Sequence, residues 1–150
     1  MKTETDLAAR QCNCLAIRQA SRHVTQFYDQ LLAPSGLRTT QFAILSRLQR
    51  GGPMTINELA AALVMDRTTL GRNILPLERE GLIEIGPGAS DRRRREVRLS
   101  AAGAARLGAA RRGWAAAQKR FDAVFGSERA SALRDLLREV VASDFAAAGD

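Results

Sequence analysis

Apolar residues recur along this chain with two different periods, and the change of period divides it into elements. Ile56, Leu59 and Leu63 share one helical face, and the stretch that opens it, Thr55-Ile56-Asn57-Glu58, is a Ser/Thr-x-x-Glu capping box able to satisfy the orphan amides of a first turn. A break at Val64-Met65 leads to Asp66, a good N-cap, and to a second helix in which Leu70, Ile74 and Leu77 recur on one face. That packing turns Thr68, Arg72 and Arg79 outward. Pro76 removes one amide donor inside this helix and is expected to kink its C-terminal half. Gly81 stops it. Period two then takes over: Leu82-Ile83-Glu84-Ile85 reads as a strand, residues 86–90 as a turn, and residues 93–99 as a second strand with Arg93, Arg95, Val97 and Leu99 on one face.

The flanks are helical. Residues 6–33 predict one long helix, with Cys14, Ile17, Val24, Tyr28 and Leu31 on a stripe of near-heptad spacing, ended by Pro34-Ser35-Gly36. Thr39 or Thr40 is expected to cap a helix running through Leu48, broken by Gly51-Gly52-Pro53. Residues 101–125, rich in alanine, predict another long helix, weakened by Gly103, Gly108 and Gly113 and ended at Gly126. Ser127 then caps a last helix carrying Leu133, Leu136, Leu137, Val140, Val141 and Phe145. The fold class is therefore mainly α with a small β-wing. A winged helix-turn-helix head over residues 39–100 is joined to dimerisation helices over 6–33 and 101–146, within a single domain of residues 1–150. Apolar terminal helices exceed what a three-helix head can bury. A twofold homodimer buries the same stripe on both subunits and sets two recognition helices one DNA turn apart.

Composition narrows the function classes. A chain of 150 residues that is 45% hydrophobic can build one real core. The formal charge of +7 points to an anionic partner, yet residues 66–98 hold eight Arg against six acids, a net of +2, so placement carries the argument and net charge only supports it. No apolar run approaches the roughly 20 residues that span a bilayer, and the N-terminus is unlike a signal peptide, which predicts a cytoplasmic protein with no membrane partner. Two cysteines one residue apart and a lone His23 form no metal or cofactor constellation, and no nucleophile has a base beside it; an enzyme is not expected.

The polar face of the second helix fits nucleic acid. A major groove admits one helix, and Arg can chelate guanine there, so Arg67, Thr68, Thr69, Arg72 and Asn73 are candidate readers, with Thr55 at the start of the preceding helix. Four consecutive arginines, Arg92, Arg93, Arg94 and Arg95, follow Asp91 at the hairpin tip, a charge that suits the narrow minor groove of double-stranded DNA.

These residues resemble the MarR family of bacterial regulators. Its wing pattern Asp-x-Arg-x-x-x-Val-x-Leu-Ser/Thr-x-x-Gly is met by Asp91, Arg93, Val97, Leu99, Ser100 and Gly103, and residues 32–42 are similar to the family's stretch before its second helix. The resemblance implies dimerisation through the terminal helices and a pseudo-palindromic operator. It also implies a sensor. Cys14 is similar in position to the reactive cysteine of the organic-peroxide-sensing branch, the Cys12-x-Cys14 pair resembles that of other oxidant-sensing members, and Tyr28 matches a tyrosine that holds the reactive sulfur. Arg10 and Arg18, four residues to either side of Cys14, favour the thiolate. Arg18, however, stands where those sensors carry a second tyrosine. A Cys12–Cys14 disulfide cannot form in intact helix, because side chains two residues apart point to nearly opposite faces. The competing signal is a small aromatic carboxylate, held by Arg18, Arg22 and His23 between apolar walls from Tyr28, Phe42 and Trp114. The function read from the sequence is a dimeric repressor released by such an acid or by oxidation of Cys14; a sequence-blind architectural DNA-binding protein is the alternative.

Overall fold

The computed structural model describes residues 9–146. Its contacts divide the chain into two compact units, one ending at Trp114 and the other beginning at Ala115.

In the first unit, helix α1 spans Asn13–Leu32. The single helix expected over 6–33 is interrupted: residues 9–11 make one turn, Cys12 takes extended backbone, and its Sγ accepts the Leu15 amide at 3.4 Å. Cysteine and asparagine are weak helix formers, and a side chain that caps locally competes with an unbroken ladder. Residues 6–8 of the expected helix lie outside the described residues. After α1 comes a 3-10 turn, Ala33–Ser35, closed by Gly36 at φ 76°.

Helix α2, Thr39–Gly51, is capped otherwise than the sequence suggests. Thr39 is its first residue, and Arg38 is the N-cap. The Thr39 N–H and hydroxyl both donate to Asp29 Oδ1 at 2.7 Å, so a carboxylate on α1 supplies the cap. Strand β1, Met54–Thr55, runs into helix α3, Ile56–Leu63, through the predicted capping box: Thr55 Oγ1 accepts the Glu58 amide at 3.2 Å, and Glu58 Oε2 accepts that of Thr55 at 2.8 Å. Asp66 caps helix α4, Arg67–Arg79, accepting the Thr69 amide at 2.8 Å. Helix α4 continues through Pro76, and Leu70, Ile74 and Leu77 are buried on its inner face as expected.

Strands β2, Ile83–Pro87, and β3, Arg95–Leu99, complete an antiparallel sheet of order β1-β3-β2. The hairpin is longer on one side and shorter on the other than predicted, since β2 extends to Pro87 while Arg93 and Arg94 belong to the connecting turn. Val97 is the central pivot, paired with Met54 on one side and Ile85 on the other and fully buried. The core joins residues of all these elements, from Leu32 to Ala110. Helix α5, Ala101–Phe125, starts against the sheet: Ser100 Oγ accepts the Gly103 amide at 3.0 Å and donates to Gly81 O at 2.6 Å.

In the second unit, Gly126, at φ 98°, separates α5 from helix α6, Ser127–Ala142. Gly126 is the N-cap and Ser127 the first helical residue, so the cap expected at Ser127 falls one position earlier. The Arg129 guanidinium lies 4.4 Å from the centre of the Phe125 ring. Leu136, Leu137, Val140 and Val141 leave an exposed apolar stripe on α6, whereas Phe145 lies past the end of the helix that was expected to carry it.

Candidate nucleic-acid interface

The capped start of α4 presents Arg67, Thr68, Thr69 and Arg72 to solvent. Their polar groups are not equally available. Thr69 Oγ1 donates to Asp66 Oδ2 at 2.7 Å, and Asn73 Nδ2 donates back to Thr69 O at 2.9 Å, so both side chains are occupied within the helix. Among the described residues no ion pair engages Arg67 or Arg72. Thr55, named with these readers, is half-buried and gives its hydroxyl to the capping box.

The wing loop is folded on itself. Gly88 donates its amide to Arg94 O at 2.6 Å, Arg94 donates to Asp91 O at 3.1 Å, and Asp91 Oδ1 accepts the Arg93 amide at 3.0 Å. A Cβ on Gly88 would stand 2.6 Å from Asp91 O, which is why the curl needs glycine there. The turn leaves Arg92, Arg93 and Arg95 exposed and outside any ion pair among the described residues. Arg94 differs. Its guanidinium is bonded to the Glu58 carboxylate on α3.

Two carboxylates in this region are held below the ordinary range. For Glu58 the main cause is the Thr55 amide and next the Arg94 guanidinium; for Asp66 it is the Thr69 hydroxyl and amide. A depressed folded-state value contributes stability that is complete above the unfolded value and lost as pH falls through the folded one. The stability conferred by Glu58 and Asp66 should therefore persist at neutral pH and fade in acid, below the ordinary carboxylate range. Thermal melts between about pH 6 and pH 3 check this: a Glu58→Gln, Asp66→Asn double variant should lose less stability than the parent on acidification. Equal losses would assign the acid sensitivity elsewhere.

The sequence model of the MarR family matches residues 35–94, from the turn before α2 to the wing loop. The chain is also 35% identical to the M. tuberculosis transcriptional regulator MosR, solved in complex with DNA; the two agree over 88% of this chain and 98% of MosR, with a TM-score of 0.74. The chain belongs to the MarR family. It is 31% identical over 93 residues to the HTH-type transcriptional repressor NicR of Pseudomonas putida, covering 62% of this chain and 59% of NicR. With the HTH-type regulator YwoH of Bacillus subtilis it shares 32% over 84 residues, 56% of this chain and 61% of YwoH. The match thus spans about three fifths of the length of these curated relatives.

The residues that the sequence offers for sensing fall in different places. A cavity of about 420 Å³ in the first unit has Tyr28, Phe42 and Trp114 in its lining. Phe42 and Trp114 stack at 6.1 Å and 15°. Its cations, however, are Arg50 and Arg111. Arg18, Arg22 and His23 are exposed on α1 and do not line it. Helical spacing is the signal in the sequence that sets these two arginines near the aromatics, since Arg50 lies two turns beyond Phe42 and Arg111 one turn before Trp114. Arg111 also donates to the Gln49 side chain.

Cys12 and Cys14 are both exposed, on either side of the start of α1. Arg18 remains one turn beyond Cys14, but Arg10 precedes the break and loses the helical register that would have set it on the same face. The helix start that a Cys12–Cys14 disulfide would have to unwind is already open at Cys12. No helix among the described residues is long and apolar enough to cross a membrane.

Proposed function

We propose that this MarR-family protein is a homodimeric, sequence-specific repressor that reads a pseudo-palindromic operator with α4 and the wing and is released when a small aromatic carboxylate enters the cavity between α1, α2 and α5. Such a regulator would act in the cytoplasm, beside the DNA it reads, and performs no catalysis. Arg67 and Arg72 on α4 and Arg92, Arg93 and Arg95 on the wing, none of them in an ion pair among the described residues, support the DNA reading, because Arg is suited both to guanine edges and to the minor groove. The exposed apolar stripe of α6, with Ile17 42% exposed on α1, supports a second copy as partner. In this reading residues 1–150 act as one functional domain.

The observation that carries the effector reading is the stacked Phe42–Trp114 pair with Arg50 and Arg111 in one cavity, which sets an apolar aromatic wall beside two cations. Trp114 is the only tryptophan, so its fluorescence reports the site. Benzoate and its hydroxylated relatives should quench it and detach the protein from an operator selected from random duplexes. Arg111→Ala should weaken that binding by about ten- to a hundredfold, the span of a charge-assisted hydrogen bond. No quenching and undisturbed DNA complexes across the series would overturn the effector assignment, and selection without any preferred palindrome would return the protein to the sequence-blind class. The exposure of both thiols supports oxidation as a second reading: release by an organic peroxide that is abolished in Cys14→Ser, with no response to the acids, would favour it.

A further inference from the structure

One carboxylate joins three elements. Glu58 lies on α3, its Oε2 holds the Thr55 amide at the end of β1, and its Oε1 holds the Arg94 guanidinium of the wing loop. The loop has few other anchors. Its backbone bonds from Gly88 to Arg94 close on themselves, and β1 reaches along β3 only as far as the Thr55–Glu96 pairing, so residues 88–94 project beyond the end of that ladder. Among the described residues, Arg94 to Glu58 is the one ion pair between this loop and a helix. Both side chains are about half exposed, at 46% and 51%, so water screens the pair and it adds little to folding stability. Its consequence is therefore positional: it settles which way a projecting loop leans.

We propose that Arg94 is a positioning residue for DNA binding, not a DNA contact, and that its ion pair with Glu58 fixes the wing so that Arg92, Arg93 and Arg95 face the duplex. The proposal rests on the DNA reading above and divides the arginine run into one internal tether and three external probes.

Glu58→Gln separates the possibilities by sign. The amide oxygen of glutamine can still accept the Thr55 N–H, so the capping box is kept while the ion pair is lost. If Arg94 were itself a phosphate contact, Glu58→Gln would remove a repelling carboxylate and free a cation, and operator affinity would rise. With Arg94 as a tether, affinity falls by about tenfold in Glu58→Gln and by a similar factor in Arg94→Met, the double variant is no worse than either single, and both flatten the salt dependence alike because the same wing contacts are lost. A second readout needs no DNA: hydrogen exchange at the amides of Gly88 and Arg94 in the free protein should accelerate equally in both variants. Tighter binding by Glu58→Gln, or wing amides unchanged in both variants, would overturn the tether. A parent protein that binds no duplex would instead refute the DNA reading, and the exchange rates would still decide whether the wing is held by this pair.

Discussion

Arg72→Ala is expected to lower affinity for the preferred operator by about ten- to a hundredfold while barely changing affinity for random duplex, because a bidentate Arg–guanine contact contributes about 1 to 3 kcal/mol of discrimination. The expectation follows from position. Arg72 sits one turn after Thr68 on the exposed side of α4, opposite the buried row of Leu70, Ile74 and Leu77, and no acid among the described residues competes for its guanidinium. The same face offers less from Thr69 and Asn73, whose hydroxyl hydrogen and one amide hydrogen are already given to Asp66 and to the helix backbone. Titrating labelled operator and scrambled duplex at two salt concentrations checks the prediction. Equal loss on both would move Arg72 to the phosphate backbone.

The second large effect concerns stability and has two signs for one substitution. At Gly103 a Cβ would stand 2.0 Å from Leu82 O, and at Gly113 it would stand 2.2 Å from Leu31 O; at Gly108 it would meet nothing within 4 Å. In the first two positions the neighbour is backbone and cannot yield without moving a strand or a helix. Gly103→Ala and Gly113→Ala should therefore each destabilise by about 1 to 3 kcal/mol or more, as overpacking does. Gly108→Ala should stabilise by up to about 1 kcal/mol, the ordinary preference for alanine within a helix. With roughly 2 to 4 °C per kcal/mol for a chain of this size, thermal melts resolve the contrast. Gly113→Ala should in addition shift Trp114 fluorescence, since the close approach of α5 to α1 there seats Arg111 and Trp114 in the cavity wall. A uniform response of the three alanine variants would remove close packing as the reason for the glycines.

Much of this was legible in the sequence because it is local. The capping box at Thr55, the cap at Asp66, the buried row of α4 and the exposed wing arginines each depend on residues within a few positions of one another. What was not legible depends on chain segments meeting across distance. Strand β1 is two residues long and gains its identity only by pairing with Val97 and Glu96. The glycines of α5 looked like weak points of a helix, and only the carbonyls of Leu82 and Leu31 reveal why side chains are absent. Arg94 was indistinguishable from its neighbours in a run of four until Glu58, 36 residues earlier, was brought beside it. The cations of the cavity were hidden for a related reason: Arg50 and Arg111 join Tyr28, Phe42 and Trp114 only when helices far apart in the chain are packed together.

The double hydrogen bond from Thr39 to Asp29 also decides where this protein can be cut. The linker after α1, with Pro34 and Gly36, looks like the natural place to excise a minimal DNA-binding fragment. A fragment begun there would leave the first turn of α2 without the Asp29 carboxylate that accepts its Thr39 amide, and α2 contributes Ile44, Leu45 and Leu48 to the middle of the core. A fragment begun before Asp29 should therefore melt higher than one begun at Gly36, because the last turn of the N-terminal helix supplies the acceptor at the start of α2.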